Sequence, residues 1–227
     1  MRRSWKEYEV RSMFNELINY YAMNFSYIAE QFTRHFLIAV YGVLFACIVG
    51  IPVGFLVSER EKARNVVIGL VNIIQTIPGL AMLAILMMLL GIGANTVVLS
   101  VFLYALLPII KNTVTGIDSI HPGIIDAARG MGMTRFQQVV KVEFPLSVSV
   151  IMGGIRNALV VGIGVAAIGT FIGAGGLGDI ITRGTTVSNG SAIILAGAIP
   201  TALMAVLSDL LLEAIEKKLK KETVDLE

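Results

Sequence analysis

Gly173, Gly175 and Gly178 stand at the Gly-x-Gly-x-x-Gly spacing with which a tight turn and a helix N-terminus cradle a dinucleotide pyrophosphate. That chemistry needs a strand before the glycines and an acidic residue beyond the following helix, in a water-soluble βαβ unit. This copy instead follows a long apolar run, where glycines serve tight turning and close helix approach. His35 and His121 lie far apart in the chain, and Cys47 is the only cysteine, so neither a metal-ligand set nor a disulfide is expected. The Gly-x-x-x-x-Gly-Lys-Ser/Thr loop of nucleotide hydrolases is absent, so the chain is read as a non-enzyme with no catalytic residues, cofactor or metal. Two charges sit inside apolar runs, Arg156 and Asp209. A charge at that depth needs a partner or a wet cavity, and direct pairing of the two near the inner end of a pathway is the sharper expectation. The alternative is that Arg156 snorkels to the inner vestibule while Asp209 meets backbone or water.

The elements that hold these residues are set by composition. Of 227 residues, 56% are hydrophobic and only 15% charged. With a mean hydropathy of +0.79, this is more apolar surface than a soluble core of this size hides, so a lipid bilayer must supply the apolar solvent. The balance of 18 Lys and Arg against 16 Asp and Glu gives no basic face for nucleic acid. Apolar runs at 36–57, 66–90, 96–110, 147–172 and 191–212 predict an all-α integral membrane protein of about five transmembrane helices. The third reaches full length only by running past Lys111. Pro52, Pro78 and Pro108 interrupt the runs with neighbouring glycines at Gly50 and Gly79, breaks that suit a pathway better than an inert anchor. Aromatic residues are few within the later spans. Met82, Met87 and Met88 are expected to pack helices or face lipid.

The loops orient the spans. Arg60, Lys62 and Arg64 follow the first; Lys111, Arg129, Arg135 and Lys141 follow the third; Lys217, Lys218, Lys220 and Lys221 close the chain. These belong on the cytoplasmic side, which places the N-terminus, the 91–95 loop and the 173–190 loop outside. Arg2, Arg3, Lys6, Arg11 and Arg34 oppose that placement, and synthesis beginning at Met13 would remove four of the five. Apolar residues from Phe14 to Phe36 recur every three to four positions, predicting an amphipathic helix at the outer interface or leading into the first span. The expected division is an N-terminal extension and interfacial helix over 1–35, a transmembrane domain over 36–213 holding a cytoplasmic loop at 118–145, and a charged cytoplasmic tail over 214–227.

That loop is the most informative stretch. Pro122 predicts a helix start, with His121 helping to open it, and Gly130 and Gly132 predict its stop. The short helix, residues Ile125, Asp126, Ala127, Ala128, Arg129, Gly130, Met131 and Gly132, is expected to expose the small side chains of Ala127 and Ala128 between a carboxylate and a cation. A second amphipathic stretch, 135–144, then leads back to the membrane, which Pro145 marks. Asp126, Ala127, Ala128, Gly132, Val142, Phe144 and Pro145 resemble, without a gap, the cytoplasmic Glu-Ala-Ala signature of permeases of ATP-binding-cassette (ABC) importers. Asp for Glu, Val for Ile and Phe for Leu are conservative departures.

The resemblance extends from about His35 to Lys221 and includes Gly50 to Gly54, Gln75 to Gly79 and Gly173 to Gly178. It is closest to permeases importing glycine betaine, carnitine or choline. It implies the type I importer permease architecture shared with methionine importers, and a loop helix that couples to partner ABC ATPase subunits. A second, identical or homologous permease and an extracellular substrate-binding protein are the other implied partners. The resemblance leaves the substrate-contacting residues open. Another small solute such as methionine is the alternative cargo. An ion-coupled secondary transporter is the alternative class, disfavoured because only Arg156 and Asp209 are membrane-embedded charges and five spans form no equal halves.

Overall fold

A computed structural model describes the backbone of residues 2–188 and 190–224 and the side chains of residues 12–188 and 190–220. The cations at Arg2, Arg3, Lys6, Arg11 and Lys221, and the end of the expected tail at 225–227, lie outside the described residues. Every regular element among the described residues is helical: α1 (Arg2–Ser58), α2 (Glu61–Thr76), α3 (Gly79–Leu90), α4 (Ala94–Asp118), α5 (Pro122–Gly130), α6 (Arg135–Gln138), α7 (Phe144–Ile168), α8 (Leu177–Thr186) and α9 (Ser191–Val224). A π-turn (Val139–Glu143) joins α6 to α7, and a 3₁₀ turn (Gly169–Ile172) ends α7.

Among the described residues, four stretches are long and apolar enough to cross a bilayer: Ser12–Ser58, Ala94–Asp118, Arg135–Ile172 and Ser191–Lys220. The run at 66–90 is not one straight span, because α2 and α3 meet at 99°. The pair nevertheless connects the two ends of the bundle. Near its start, Arg64 pairs at 2.8 Å with Asp118 at the end of α4. Just past its close, Gly93 N–H reaches Ile172 O at 2.9 Å, beside the start of α4. The 25 residues of α4 rise about 37 Å between these points, so α2 and α3 together make a fifth, broken crossing. The third span does run past Lys111, to Asp118. The fourth begins earlier than the break expected at Pro145, because the π-turn, in which Phe144 N–H reaches Val139 O, carries the helix past that residue.

α1 has non-helical backbone angles at Asn24, whose side-chain amide donates to Tyr20 O at 3.0 Å. Beyond this kink the amphipathic stretch leads directly into the first span, the second of its two expected placements. The N-terminal part leans on the far end of the bundle: Tyr21 Oη donates to Ala196 O at 3.3 Å, and Tyr27 donates to Asp179.

α4 is the central helix, and small residues let its neighbours reach it. A Cβ at Gly42 or Gly54 of α1 would lie 2.5 Å from Val101 and 2.6 Å from Thr113, and one at Gly154 of α7 would lie 2.6 Å from Asn112. Ala46 and Ala158 continue these stripes with no exposed surface. Such close approach is how helices associate where lipid removes the hydrophobic drive between them.

The breaks satisfy each other. Pro108 has no N–H, which leaves the carbonyl of Tyr104 without its helical donor, and Gln75 Nε2 donates to it at 3.3 Å. In return Tyr104 Oη donates to the carbonyl of Ile77, freed by the break before Pro78. At the far end, Gly173, Gly175 and Gly176 take positive φ, and a Cβ at Gly178 would lie 2.0 Å from Ala167 O. The glycine pattern that mimicked a nucleotide motif is therefore a turn between α7 and α8. α8 lacks a side-chain cap of its own, and α1 supplies one: Gln31 Oε1 accepts from Gly176 N–H at 2.7 Å, and His35 Nδ1 accepts from Leu177 N–H at 3.2 Å. His35 Nε2 donates to Ile163 O at 2.9 Å, so its neutral tautomer is fixed from both sides.

Tyr104→Phe keeps the ring and strands the Ile77 carbonyl, a loss of about 1–3 kcal/mol. Thermal unfolding of the purified protein should shift down by roughly 2–12 °C. An unchanged midpoint would mean that water already reaches this carbonyl.

Candidate functional site: the loop helix and the buried charges

α5 is built as its sequence predicts. His121 is the N-cap, its Nδ1 accepting from Gly123 N–H at 3.1 Å, and Pro122 opens the first turn. Gly132, at φ +78°, closes the helix: its N–H reaches Arg129 O at 2.9 Å while Met133 N–H reaches Ala128 O at 3.2 Å. This pair of bonds is the left-handed glycine stop, which a side chain makes costly.

The helix does not expose both alanines. Ala127 is exposed, but Ala128 is 1% exposed, because neighbours on a helix point about 100° apart and Ala128 faces the body of the protein. Asp126, Arg129 and Gly130 face outward and Ile125 is half-buried. Ile124, Ala127 and Met131, spaced three and four apart, give α5 an exposed apolar strip, with Met131 71% exposed.

Charges brace this helix against the membrane spans. Glu59 at the end of α1 meets Arg135 at 3.3 Å and Arg129 at 3.8 Å. Arg135 also pairs with Glu143, whose side chain is 3% exposed and whose second oxygen has no partner among the described residues. Thr134 and Gln137 form a reciprocal capping box at the start of α6, and buried Gln138 donates to Met133 O at 2.9 Å.

The structure brings Arg156 and Asp209 together. Their contact is bidentate, Nε to Oδ1 at 2.7 Å and Nη2 to Oδ2 at 2.9 Å. It belongs to a larger network: Arg156 also reaches Glu216 at 3.3 Å and Glu213 at 3.6 Å, Ser149 donates to Glu216 at 2.6 Å, and Lys217 pairs with Glu213 at 2.7 Å. Glu213 and Glu216 were legible in principle, since Asp209, Glu213 and Glu216 lie four and three apart on one face of α9. Glu59, Glu143 and the Gln31 and His35 caps carried no local sequence signal, because each finds its partner across the fold.

Residues 42–221 match the family described as the binding-protein-dependent transport system inner membrane component. The chain belongs to that family. This permease is 59% identical over 204 residues, 90% of its own length and 92% of the relative's, to the carnitine transport permease protein OpuCD of Listeria monocytogenes. It is 58% identical, covering 90% of its length and 89% of the relative's, to the glycine betaine/carnitine/choline transport system permease protein OpuCD of Bacillus subtilis. Among solved structures, it resembles a chain of the inward-facing MetNI methionine ABC transporter with a TM-score of 0.76 at 22% identity, covering 85% of this chain and 95% of that one. The permease has the fold of that transporter's chain, the type I importer architecture.

The network makes a charge swap informative. Arg156→Asp should sharply lower membrane-inserted yield, because it leaves four carboxylates facing Lys217 alone. Asp209→Arg should cost less, since Glu213 and Glu216 remain as partners. The double swap should regain part of the loss of Arg156→Asp, as read by yield and uptake; strictly additive damage would mean that the pair is not coupled.

Proposed function

We propose that this permease forms half of the transmembrane pathway of an ABC importer for small quaternary amines: glycine betaine, carnitine or choline. The observation that carries the cargo class is the near-full-length identity to the two OpuCD proteins, whose names specify these solutes. The likeness to the methionine transporter bears on fold alone.

In this reading α5 is the coupling helix. Its apolar strip of Ile124, Ala127 and Met131 docks into a groove on a cytoplasmic ATPase subunit, with Asp126 and Arg129 at the rim. The Glu59–Arg135–Glu143 brace passes the displacement of α5 to α1 and α7. A second permease completes the pathway, two ATPase subunits lie below, and an extracellular binding protein delivers solute from outside. ATP binding draws the coupling helices together and turns the pathway outward; hydrolysis resets it inward. The N-terminus and the 173–190 loop lie outside, and α5 and the C-terminal charges lie in the cytoplasm of a bacterial cell. Residues 1–35 act as an outer extension and 214–227 as an inner tail.

Two measurements test this. In proteoliposomes holding the full importer, glycine betaine, carnitine or choline with the binding protein should stimulate ATP hydrolysis severalfold. Ala127→Arg, which puts a long cation on the docking strip, should cut stimulated hydrolysis and uptake at least tenfold while membrane insertion persists. Full activity of that variant would remove α5 from the motor interface. In a background where Cys47 is replaced by Ala, Ser58→Cys and Ser188→Cys should react with an impermeant thiol reagent from opposite faces of the membrane. Reaction of both from outside would overturn the orientation.

A further inference from the structure

From one face of α2 and the break that ends it, we infer that Asn72 and Thr76, with the carbonyls of Gln75 and Thr76, form the surface that solute touches near the middle of the membrane. Asn65, Gly69, Asn72 and Thr76 are spaced four, three and four apart. At about 100° per residue they fall within roughly 60° of one another. Asn65, Asn72 and Thr76 are exposed, and a Cβ at Gly69 would meet nothing within 4 Å. The adjoining arc holds exposed Val66, Leu70 and Ile73, so one exposed flank of α2 is polar and the other apolar.

Depth makes the polar flank significant. Arg64, paired with Asp118, marks the inner boundary. Asn72 and Thr76 then lie about 12 and 18 Å along α2 from it, inside a ~30 Å apolar layer. The amide of Asn72 has no hydrogen bond among the described residues, and an amide in hydrocarbon without a partner is costly. The break adds a second, independent demand. Pro78 has no N–H, Ile77 N–H turns back to Ile74 O, and no donor among the described residues reaches the carbonyls of Gln75 and Thr76. Freed carbonyls at this depth persist only against protein or a water-filled cavity, and interrupted helices of this kind hold the substrate in other transporters.

The chemistry suits the cargo class of the proposed function, on which this inference rests. A trimethylammonium group donates no N–H hydrogen bonds, so it is held by oxygen dipoles, and the C-terminal end of α2 presents carbonyls carrying the negative end of the helix dipole. The amide N–H groups of Asn72 can meet the carboxylate that glycine betaine and carnitine also carry. No formal charge lies on this face between Asn65 and Thr76, so solute is guided without being trapped.

The test uses the full importer in membrane vesicles, in the Cys47→Ala background, with the trimethylammonium-bearing thiosulfonate reagent as probe. Asn72→Cys and Thr76→Cys should react at least tenfold faster than Ile73→Cys, which lies about 100° around the helix from Asn72. A solute that the same vesicles accumulate should slow both reactions threefold or more. Gly69→Cys, for which the structure has open space, repeats the comparison on the same face should an Asn72 variant fail to insert. Equal rates on the two flanks, or rates indifferent to the accumulated solute, would overturn the assignment. Failure of the unsubstituted importer to accumulate any of the three quaternary amines would instead overturn the proposed cargo, and the contrast between flanks would still decide whether α2 faces the pathway.

Discussion

The paired bonds from Gln75 to the Tyr104 carbonyl and from the Tyr104 hydroxyl to the Ile77 carbonyl answer the constraint on which the rest of the bundle depends, the need to satisfy every backbone group that water does not reach. Pro108 frees the Tyr104 carbonyl and the break between α2 and α3 frees that of Ile77, and a side chain from the opposite element meets each one. The 99° bend between α2 and α3 is compatible with a packed bundle for this reason. The same solution recurs at the far end, where Gln31 and His35 of α1 take up N–H groups at the start of α8. Both exchanges need close helix approach, so the small residues facing α4 and the polar caps form one arrangement: without Gly42 and Gly54, α1 would stand too far from α4, and its caps would lose their register with α8.

Much of this architecture was legible as sequence because the signals were local. The apolar runs fixed where helices cross, and Pro122 with Gly132 fixed the ends of the loop helix almost to the residue. Local signals failed in three places, each for a nameable reason. Proline and glycine at Ile77–Gly79 marked a break, but a break does not specify an angle; the partner on α4 sets it. Ala127 and Ala128 read alike as small residues, and only the direction of the helix face separates the exposed one from the buried one. Pro145 reads as a helix start, whereas the π-turn before it carries the helix through.

The charges divide into two groups with different physics. Pairs at the end of the bundle, such as Arg64 with Asp118, are partly exposed and contribute at most about 1 kcal/mol each. Their value is positional, because they join α2 to α4 and α5 to α1. The Arg156 network lies deeper, where an unpaired charge would be far more costly. It concentrates three carboxylates of α9 around one guanidinium of α7, and among the described residues no other side-chain polar contact joins these two helices along the rest of their length.

These two groups bear on how motion would travel in the proposed cycle. Force applied to α5 reaches α7 through Arg135 and Glu143, and α7 is joined to α9 by Arg156, so α7 and α9 are expected to move as one body. α2 and α3 are attached differently: α2 is held near its start by Arg64 and near its end by Gln75 and Tyr104. Between Ile77 and Pro78 no backbone hydrogen bond among the described residues bridges the bend to resist a change of angle. A pathway face placed there would open or close as the α7–α9 body tilts against α4, while the hydrogen bonds within each helix stay intact.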